Sequence, residues 1–214
     1  MPIAVNPSPP ASTPLRLQII GAGAPLPATW QIDALEVTLG VGLRASAHLV
    51  LTVPAADGRF AASDSAQLAP GATLQIGVGR GTLDDAPLFD GSVLSQDLQI
   101  AVDHAPRLVV HCREAQVRDG GVVAGDGTVA LTLRFGAELL CLDAVTDSTQ
   151  GAPEPHIHGH LDCIGTTSAE LGARIALVGV GARFSGTVRV AALTHRIAAG
   201  AWTTEIRFVP VGLA

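Results

Sequence analysis

The sequence contains no lysine and no tyrosine, and charged residues make up only 15% of its 214 positions. All 13 basic residues are therefore arginines, and they form no basic run. Together with a formal net charge of -6, this argues against a nucleic-acid-binding surface. Aromatic residues make up 3% of the chain, which argues against a carbohydrate site built from stacking rings.

Hydrophobic residues are abundant, at 48% of the chain, and the mean hydropathy is +0.40. This balance predicts a large core together with apolar surface that an assembly would cover. No apolar run is long enough for a transmembrane helix, and the N-terminus lacks the basic start and apolar segment of a secretory signal peptide. We expect no membrane-spanning segment, and we expect the proline-rich residues 1–14 to form a flexible arm.

Cysteine is scarce, and the three residues Cys112, Cys141 and Cys163 are odd in number with no Cys-x-x-Cys spacing. Such cysteines usually behave as small buried hydrophobic residues, so we expect a reducing compartment. A disulfide between Cys141 and Cys163 remains an alternative.

Short apolar segments separated by glycine and proline predict an all-β protein. Several segments alternate with period two, which is typical of half-buried antiparallel strands. One example is Leu98, Ile100 and Val102, which we expect to share a buried face. The predicted strands are Leu15–Ile20, Ile32–Leu39, Ala45–Val53, Thr73–Val78, Leu88–Val102, Leu108–Arg113, Thr128–Phe135, Glu138–Ala144, His156–Ile164, Arg174–Val180, Phe184–Ile197 and Trp202–Val209.

An internal repeat organises these strands. The segment Gly71–Gly79 resembles Gly172–Gly181, and Phe89-Asp90-Gly91-Ser92-Val93 matches Phe184-Ser185-Gly186-Thr187-Val188. Repetition at this spacing indicates duplication of one unit. Because a closed barrel leaves no exposed sheet edge, we predict two related small β-barrels in tandem. We place the first barrel at 15–115, a glycine-rich linker at 116–127 and the second barrel at 128–214.

The candidate metal site is the segment His156-Ile157-His158-Gly159-His160. Residues at i, i+2 and i+4 of a strand project from one face, so His156, His158 and His160 would lie together. With Asp162 or Cys163 nearby they could bind zinc. An exposed strand face that carries histidine is the simpler interpretation, and we favour no metal and no cofactor.

No catalytic arrangement is evident. The Gly-x-Ser-x-Gly motif of hydrolases is absent. Asp103 and His104 are adjacent on a predicted strand and would point to opposite faces. His195 is expected to be a structural or surface residue, and Trp30 and Trp202 are expected to be core or interface anchors. We therefore predict that the protein is not an enzyme.

Three segments near the C-terminus carry a family resemblance. They are Gly179-Val180-Gly181-Ala182-Arg183-Phe184-Ser185-Gly186, Leu193-Thr194-His195-Arg196-Ile197 and Trp202-Thr203-Thr204. This series resembles the end of the hub region in VgrG and phage late-control D proteins, and Leu131–Leu140 resembles the strand that opens that barrel. The first half is similar to the first barrel of the same family, so the resemblance covers most of Leu15–Val209.

The resemblance implies a structural baseplate hub of a contractile phage tail or phage-tail-like injection system. It implies a homotrimer whose six barrels form a pseudo-sixfold ring between a threefold spike and a sixfold inner tube. The expected partners are the inner tube protein, a separate spike or needle protein and other baseplate proteins. Assembly is expected in the bacterial cytoplasm, and the product is expected to be a component of a virion or phage-tail-like particle.

Two departures from the family pattern are visible. The α/β region that the family inserts beside its barrels is replaced by a short glycine-rich link, and the family's C-terminal spike is expected to be missing after Ala214. The chain therefore resembles a minimal hub. The alternatives are a small ligand-binding β-barrel protein and a zinc-binding protein that uses His156, His158 and His160.

Overall fold

A computed structural model describes residues 13–52, 55–56, 59–101, 105–118, 128–147 and 156–211. The described residues contain strands and turns but no α-helix. They therefore include no helix that is long and apolar enough to cross a membrane. The strands are β1 (Leu15–Gly21), β2 (Ala24–Pro25), β3 (Gln31–Gly40), β4 (Leu43–Thr52), β5 (Ala55–Ala56), β6 (Arg59–Phe60), β7 (Thr73–Arg80), β8 (Phe89–Gln99), β9 (Arg107–Arg118), β10 (Leu131–Arg134), β11 (Leu139–Asp147), β12 (His156–Ile164), β13 (Arg174–Val178), β14 (Gly186–Ala198) and β15 (Ala201–Pro210).

The all-β prediction is confirmed, and each predicted strand corresponds to an observed one. The short strands β2, β5 and β6 were not predicted. The other differences lie at strand ends, where hydrogen bonding and not hydrophobicity decides the boundary. Strand β9 continues to Arg118, and β14 begins at Gly186, so Phe184 lies in the preceding turn. Val53, Val102 and the Asp103–His104 pair lie outside the described residues.

Two groups of six strands share one strand order. The first group runs β1-β7-β8-β9-β4-β3, and the second runs β10-β13-β14-β15-β12-β11. Each group therefore places its first, fourth, fifth, sixth, third and second strands side by side. Pairing of β14 with β3 joins the groups into one sheet. The predicted duplication of a β unit is thus visible in the topology.

The two groups close differently. In the second group, a bridge between Phe135 and Leu139 connects the end of β10 to the start of β11. In the described part of the first group, β1 and β3 are not paired. A pocket of about 250 Å³ lies there, lined by apolar residues that include Leu17, Trp30 and Ile32.

Backbone hydrogen bonds correct the repeat that the sequence predicted. Gly71 N–H donates to the carbonyl of Val93 at 2.8 Å, and Gly172 N–H donates to Val190 at 2.9 Å. Val93 is therefore equivalent to Val190, whereas the sequence match aligned it with Val188. The error is two residues, and a shift of two keeps every side chain on the same face of a strand. Hydrophobic alternation alone cannot detect such a shift.

Shared irregularities support this equivalence. Strand β3 has a register shift after Ile32, and β11 has one after Leu139. Strand β8 has a shift after Val93, and β14 has one after Val190. Because a bulge fixes the local register and twist of a strand, matched bulges identify matched positions in the two groups.

The inward faces of both groups form one continuous hydrophobic core. Leu49, Leu51, Leu74, Ile76 and Val78, which the alternation placed on buried faces, are buried. The largest fully buried side chains come from both groups: Phe89, Phe208, Leu35, Leu49, Leu51, Leu68, Leu74, Ile76, Leu108, Leu133, Leu161 and Ile175.

The predicted division into an arm, two barrels and a linker remains a prediction. The first described strand begins at Leu15 and the second group begins at Leu131. Strand β9 extends three residues into the predicted linker, and residues 119–127 lie outside the described residues.

Candidate assembly interface

The joint between the two groups is an antiparallel edge-to-edge pairing. Residues Ala192–Ala198 of β14 pair with Ala34–Gly40 of β3. Three inward pairs fill this joint: Leu193 with Leu39, His195 with Val37, and Ile197 with Leu35. None of these six side chains is more than 5% exposed. The joint is therefore part of the core and not a loose contact between domains.

His195 is the polar member of the joint. Its Nδ1 lies 2.9 Å from the hydroxyl oxygen of Thr204, and both residues are buried. Burial lowers the pKa of His195 to about 4, and the positive charge of Arg118 adds to this effect. The imidazole is therefore neutral at pH 7. The structure places His195 as a structural residue, one of the two roles that the sequence suggested.

On the opposite, outward face, Arg196 connects three strands. Its Nε lies 3.1 Å from Oε2 of Glu36 on β3, and one terminal nitrogen lies 2.8 Å from Oε2 of Glu205 on β15. The side chain of Arg196 is 49% exposed. Because the side chains are partly exposed, these ion pairs contribute little to the stability of the joint.

A second contact between the groups surrounds Trp202. The guanidinium carbon of Arg80 lies 5.5 Å from the centroid of the Trp202 ring, a distance typical of a cation–π interaction. Nε of Arg80 donates to the carbonyl of Gly165 at 3.2 Å. Residue 165 must lack a side chain, because a Cβ there would lie 2.1 Å from the ring of Trp202. Trp202 is thus a core anchor, as the sequence predicted.

A pocket of about 520 Å³ lies beside the joint. Its lining includes His195, Glu170 and the ion pair between Arg118 and Glu114, in which Arg118 Nε lies 2.8 Å from Oε2. Glu114 is only 8% exposed, so its carboxylate is buried beside the guanidinium group of Arg118. This pocket is the place that the ligand-binding alternative would use.

The candidate metal-binding histidines lie on one strand, as predicted, but not around a metal site. His156, His158 and His160 lie on β12 opposite Asp147, Val145 and Asp143 of β11. Within the described part of the chain, no group of three or more His, Cys, Asp or Glu side chains is arranged to hold a metal ion. The zinc hypothesis therefore receives no geometric support.

The three cysteines are free, so the alternative of a Cys141–Cys163 disulfide was wrong. Cys163 is buried and faces the core, where its thiol lies 3.4 Å from the carbonyl of Thr204, whereas Cys141 is exposed. The two side chains point to opposite faces of the sheet, so a disulfide cannot join them without movement of the backbone. Burial raises the pKa of both Cys112 and Cys163 to about 12. Cys141 is the one cysteine that is exposed.

Apolar residues are exposed along two strand edges. On β8 and just beyond it, Leu94, Leu98 and Ile100 are 51%, 40% and 63% exposed. On β11, Leu140 and Val145 are 53% and 55% exposed. The sequence predicted Leu98 and Ile100 on a buried face, and that prediction was wrong for the single chain. Alternation shows that a face is apolar but does not show which chain covers it.

The described residues thus form two six-stranded β units with a common strand order, joined edge to edge. The fold is similar to that of the tail protein from Neisseria meningitidis MC58, with a TM-score of 0.63 and 8% identity over 93% of this chain and 97% of that one. The model of the family described as the Alg8 N-terminal domain matches residues 11–120, and the chain belongs to this family. No curated protein sequence matches the chain.

Two further solved structures have the same fold. One is the 43 kDa tail protein of prophage MuSo2 from Shewanella oneidensis, with a TM-score of 0.59 and 7% identity over 92% of this chain and 98% of that one. The other is a chain of the Francisella PdpA–VgrG complex, with a TM-score of 0.51 and 6% identity over 94% of this chain and 53% of that one. The predicted resemblance to tail and VgrG-like proteins is confirmed at the level of the fold.

Proposed function

We propose that the protein is a structural baseplate hub of a contractile phage tail or phage-tail-like injection system. The observation that carries this proposal is the presence of two units with the same strand order in one chain, joined through a buried edge. Three such chains contain six similar units. A ring of this kind meets a threefold spike on one side and a sixfold tube on the other.

The likeness to two tail proteins along almost their whole length supports a role in a tail-like particle. The continuous core supports a mechanical role, because a joint built into the core transmits force without hinging. The role proposed here is assembly and not catalysis.

The proposed partners follow from this role. They are two further copies of the chain, an inner tube protein, a separate spike or needle protein and other baseplate proteins. Assembly in the bacterial cytoplasm and incorporation into a virion or phage-tail-like particle belong to the same proposal.

Native mass spectrometry of the full chain tests the proposal. We expect a species of three times the chain mass of 21.8 kDa, and a ring with six similar lobes in electron micrographs. A protein that stays monomeric across a wide concentration range, or that forms an even-numbered assembly, contradicts the adaptor role.

A further inference from the structure

We infer that β8 of one copy pairs with β11 of a second copy, antiparallel and in the register in which β14 pairs with β3 within the chain. The joint itself rests on the equivalence of the two strand groups. Only the expected number of three copies rests on the proposed function.

The two pairs of strands are equivalent by position. Strands β8 and β14 are each the fifth of their group, and β3 and β11 are each the second. Matched bulges align Val93 with Val190 and Ile32 with Leu139. The internal joint therefore pairs the fifth strand of one group, β14, with the second strand of the other, β3. The chain has one more fifth strand, β8, and one more second strand, β11.

Both remaining edges are open along the described residues. Strand β9 covers one side of β8. On its other side, β7 pairs no further than Ser92, and the preceding turn bonds only Val93. Strand β12 covers one side of β11, and the bridge from Phe135 to Leu139 touches only its first residue on the other. Open edges of this length are templates for pairing with another chain.

The internal register can be transferred residue by residue. The pairs Leu193–Leu39, His195–Val37 and Ile197–Leu35 of the internal joint become Gln96–Thr146, Leu98–Ala144 and Ile100–Leu142 between copies. All six residues are equivalent to inward residues of the internal joint, so the transferred register places two apolar pairs, Leu98–Ala144 and Ile100–Leu142, on the inward face. The third pair, Gln96–Thr146, is polar.

In the single chain, the side chains of the internal joint are buried, whereas their equivalents on β8 and just beyond it are exposed. Ile197 is 5% exposed in the internal joint, whereas its equivalent Ile100 is 63% exposed. His195 is 1% exposed, whereas its equivalent Leu98 is 40% exposed. The open edge of β8 and of residues 100 and 101, which we call the free edge, thus carries Leu98 and Ile100 at positions whose equivalents are buried in the internal joint. A second copy in the same register covers them and so gains the hydrophobic contribution that the single chain lacks.

The outward face is compatible with this pairing. In the transferred register, Gln99 takes the place of Arg196 and Asp143 takes the place of Glu36, so an amide donor faces a carboxylate. Asp97 lies opposite Val145, and its carboxylate lies 2.8 Å from Nε2 of His111 in its own copy. No like charges lie directly opposite each other in the described part of the joint.

A cysteine at position 101 tests the register. The internal pair Ala198–Ala34 transfers to Ala101 and Cys141, both on the outward face and both exposed. Directly opposed residues of an antiparallel pair have Cα atoms about 4.5–5.5 Å apart, which suits a disulfide. We therefore expect Ala101→Cys, under mild oxidation, to form a disulfide between copies through the native Cys141.

Two variants serve as controls. Leu94→Cys introduces an exposed thiol on the same strand, but seven residues of strand place it about 23 Å from the target position. It should therefore not form a crosslink. Ala101→Cys combined with Cys141→Ser removes the partner thiol and should also remain uncrosslinked. An unchanged melting temperature before oxidation shows that each variant is folded.

The outcomes separate the joint from the proposed function. A register-specific crosslink whose products end at a covalent trimer supports both. A crosslink that continues into longer polymers supports the joint and overturns the threefold hub. A native trimer without the crosslink overturns the joint and leaves the hub. A monomer without the crosslink overturns both.

Discussion

The two strand groups have the same strand order and two matched bulges, yet they differ in strand direction and closure. Strand β1 runs antiparallel to β7, whereas the equivalent β10 runs parallel to β13. The second group closes through the bridge at Phe135, and the first leaves a pocket at the same place. The four long strands of each group keep their pairing. The strands that form joints therefore have the same pairing in both groups, whereas the strands that close each group differ in direction.

The side chains at equivalent positions differ as well. The internal joint has His195 where the free edge has Leu98, and Arg196 where the free edge has Gln99. A joint within one chain forms at a fixed local concentration and tolerates polar groups that hydrogen-bond internally. A joint between copies depends on apolar surface that is exposed before assembly.

The largest expected effect comes from equivalent core leucines. Leu49→Ala and Leu161→Ala each remove a fully buried side chain, and each should lower the free energy of unfolding by about 2–5 kcal/mol through cavity formation. Because the core is continuous, both variants should shift one common transition in urea. Two transitions, each moved by only one of the variants, would show that the halves unfold independently.

The sequence alone predicted the strands well because inward and outward residues alternate with period two. It also identified the duplication through Gly71-Ala72 and Gly172-Ala173, whose backbone bonds the structure shows to be equivalent. It misaligned the following strand, because a two-residue shift leaves the pattern of faces unchanged. The order of the strands in the sheet could not be predicted either, because strands that pair, such as β3 and β14, are far apart in the sequence.

The interface was visible in the sequence only as an excess of apolar residues. Leu98 and Ile100 follow the same alternation as buried residues, and the absence of a covering strand depends on where β7 begins. The histidine segment drew attention because its residue types are chemically suggestive. Its strand neighbours Asp143 and Val145 could be identified only from the pairing of β11 with β12.

The next effect concerns His195, which has no ionisable equivalent at the free edge. Its folded pKa of about 4 lies below the ordinary value of 6.5. The unfolded chain therefore binds more protons between these values, and stability is full above pH 6.5 and falls as the pH drops toward 4. The loss should reach about 3 kcal/mol. Urea titrations from pH 7 to pH 4 measure it.

His195→Leu supplies the matched control for this titration. It places in the internal joint the residue type that the free edge carries at Leu98, and it removes the titrating group. The variant is expected to be less stable at pH 7, because Thr204 loses its partner at 2.9 Å. Its stability should depend less on pH between 6.5 and 4. An unchanged pH dependence would assign the effect to another group.

The smallest expected effect concerns the ion pairs of Arg196, which the free edge replaces with Gln99. A double-mutant cycle with Arg196→Gln and Glu36→Gln should give a coupling of about 0.2–1 kcal/mol, because the two side chains are 49% and 44% exposed. Raising the salt concentration should reduce it further. A coupling above about 2 kcal/mol would show that the outward face of the joint is shielded from solvent. In that case Arg196 would specify the internal joint energetically, and Gln99 would not be an adequate substitute between copies.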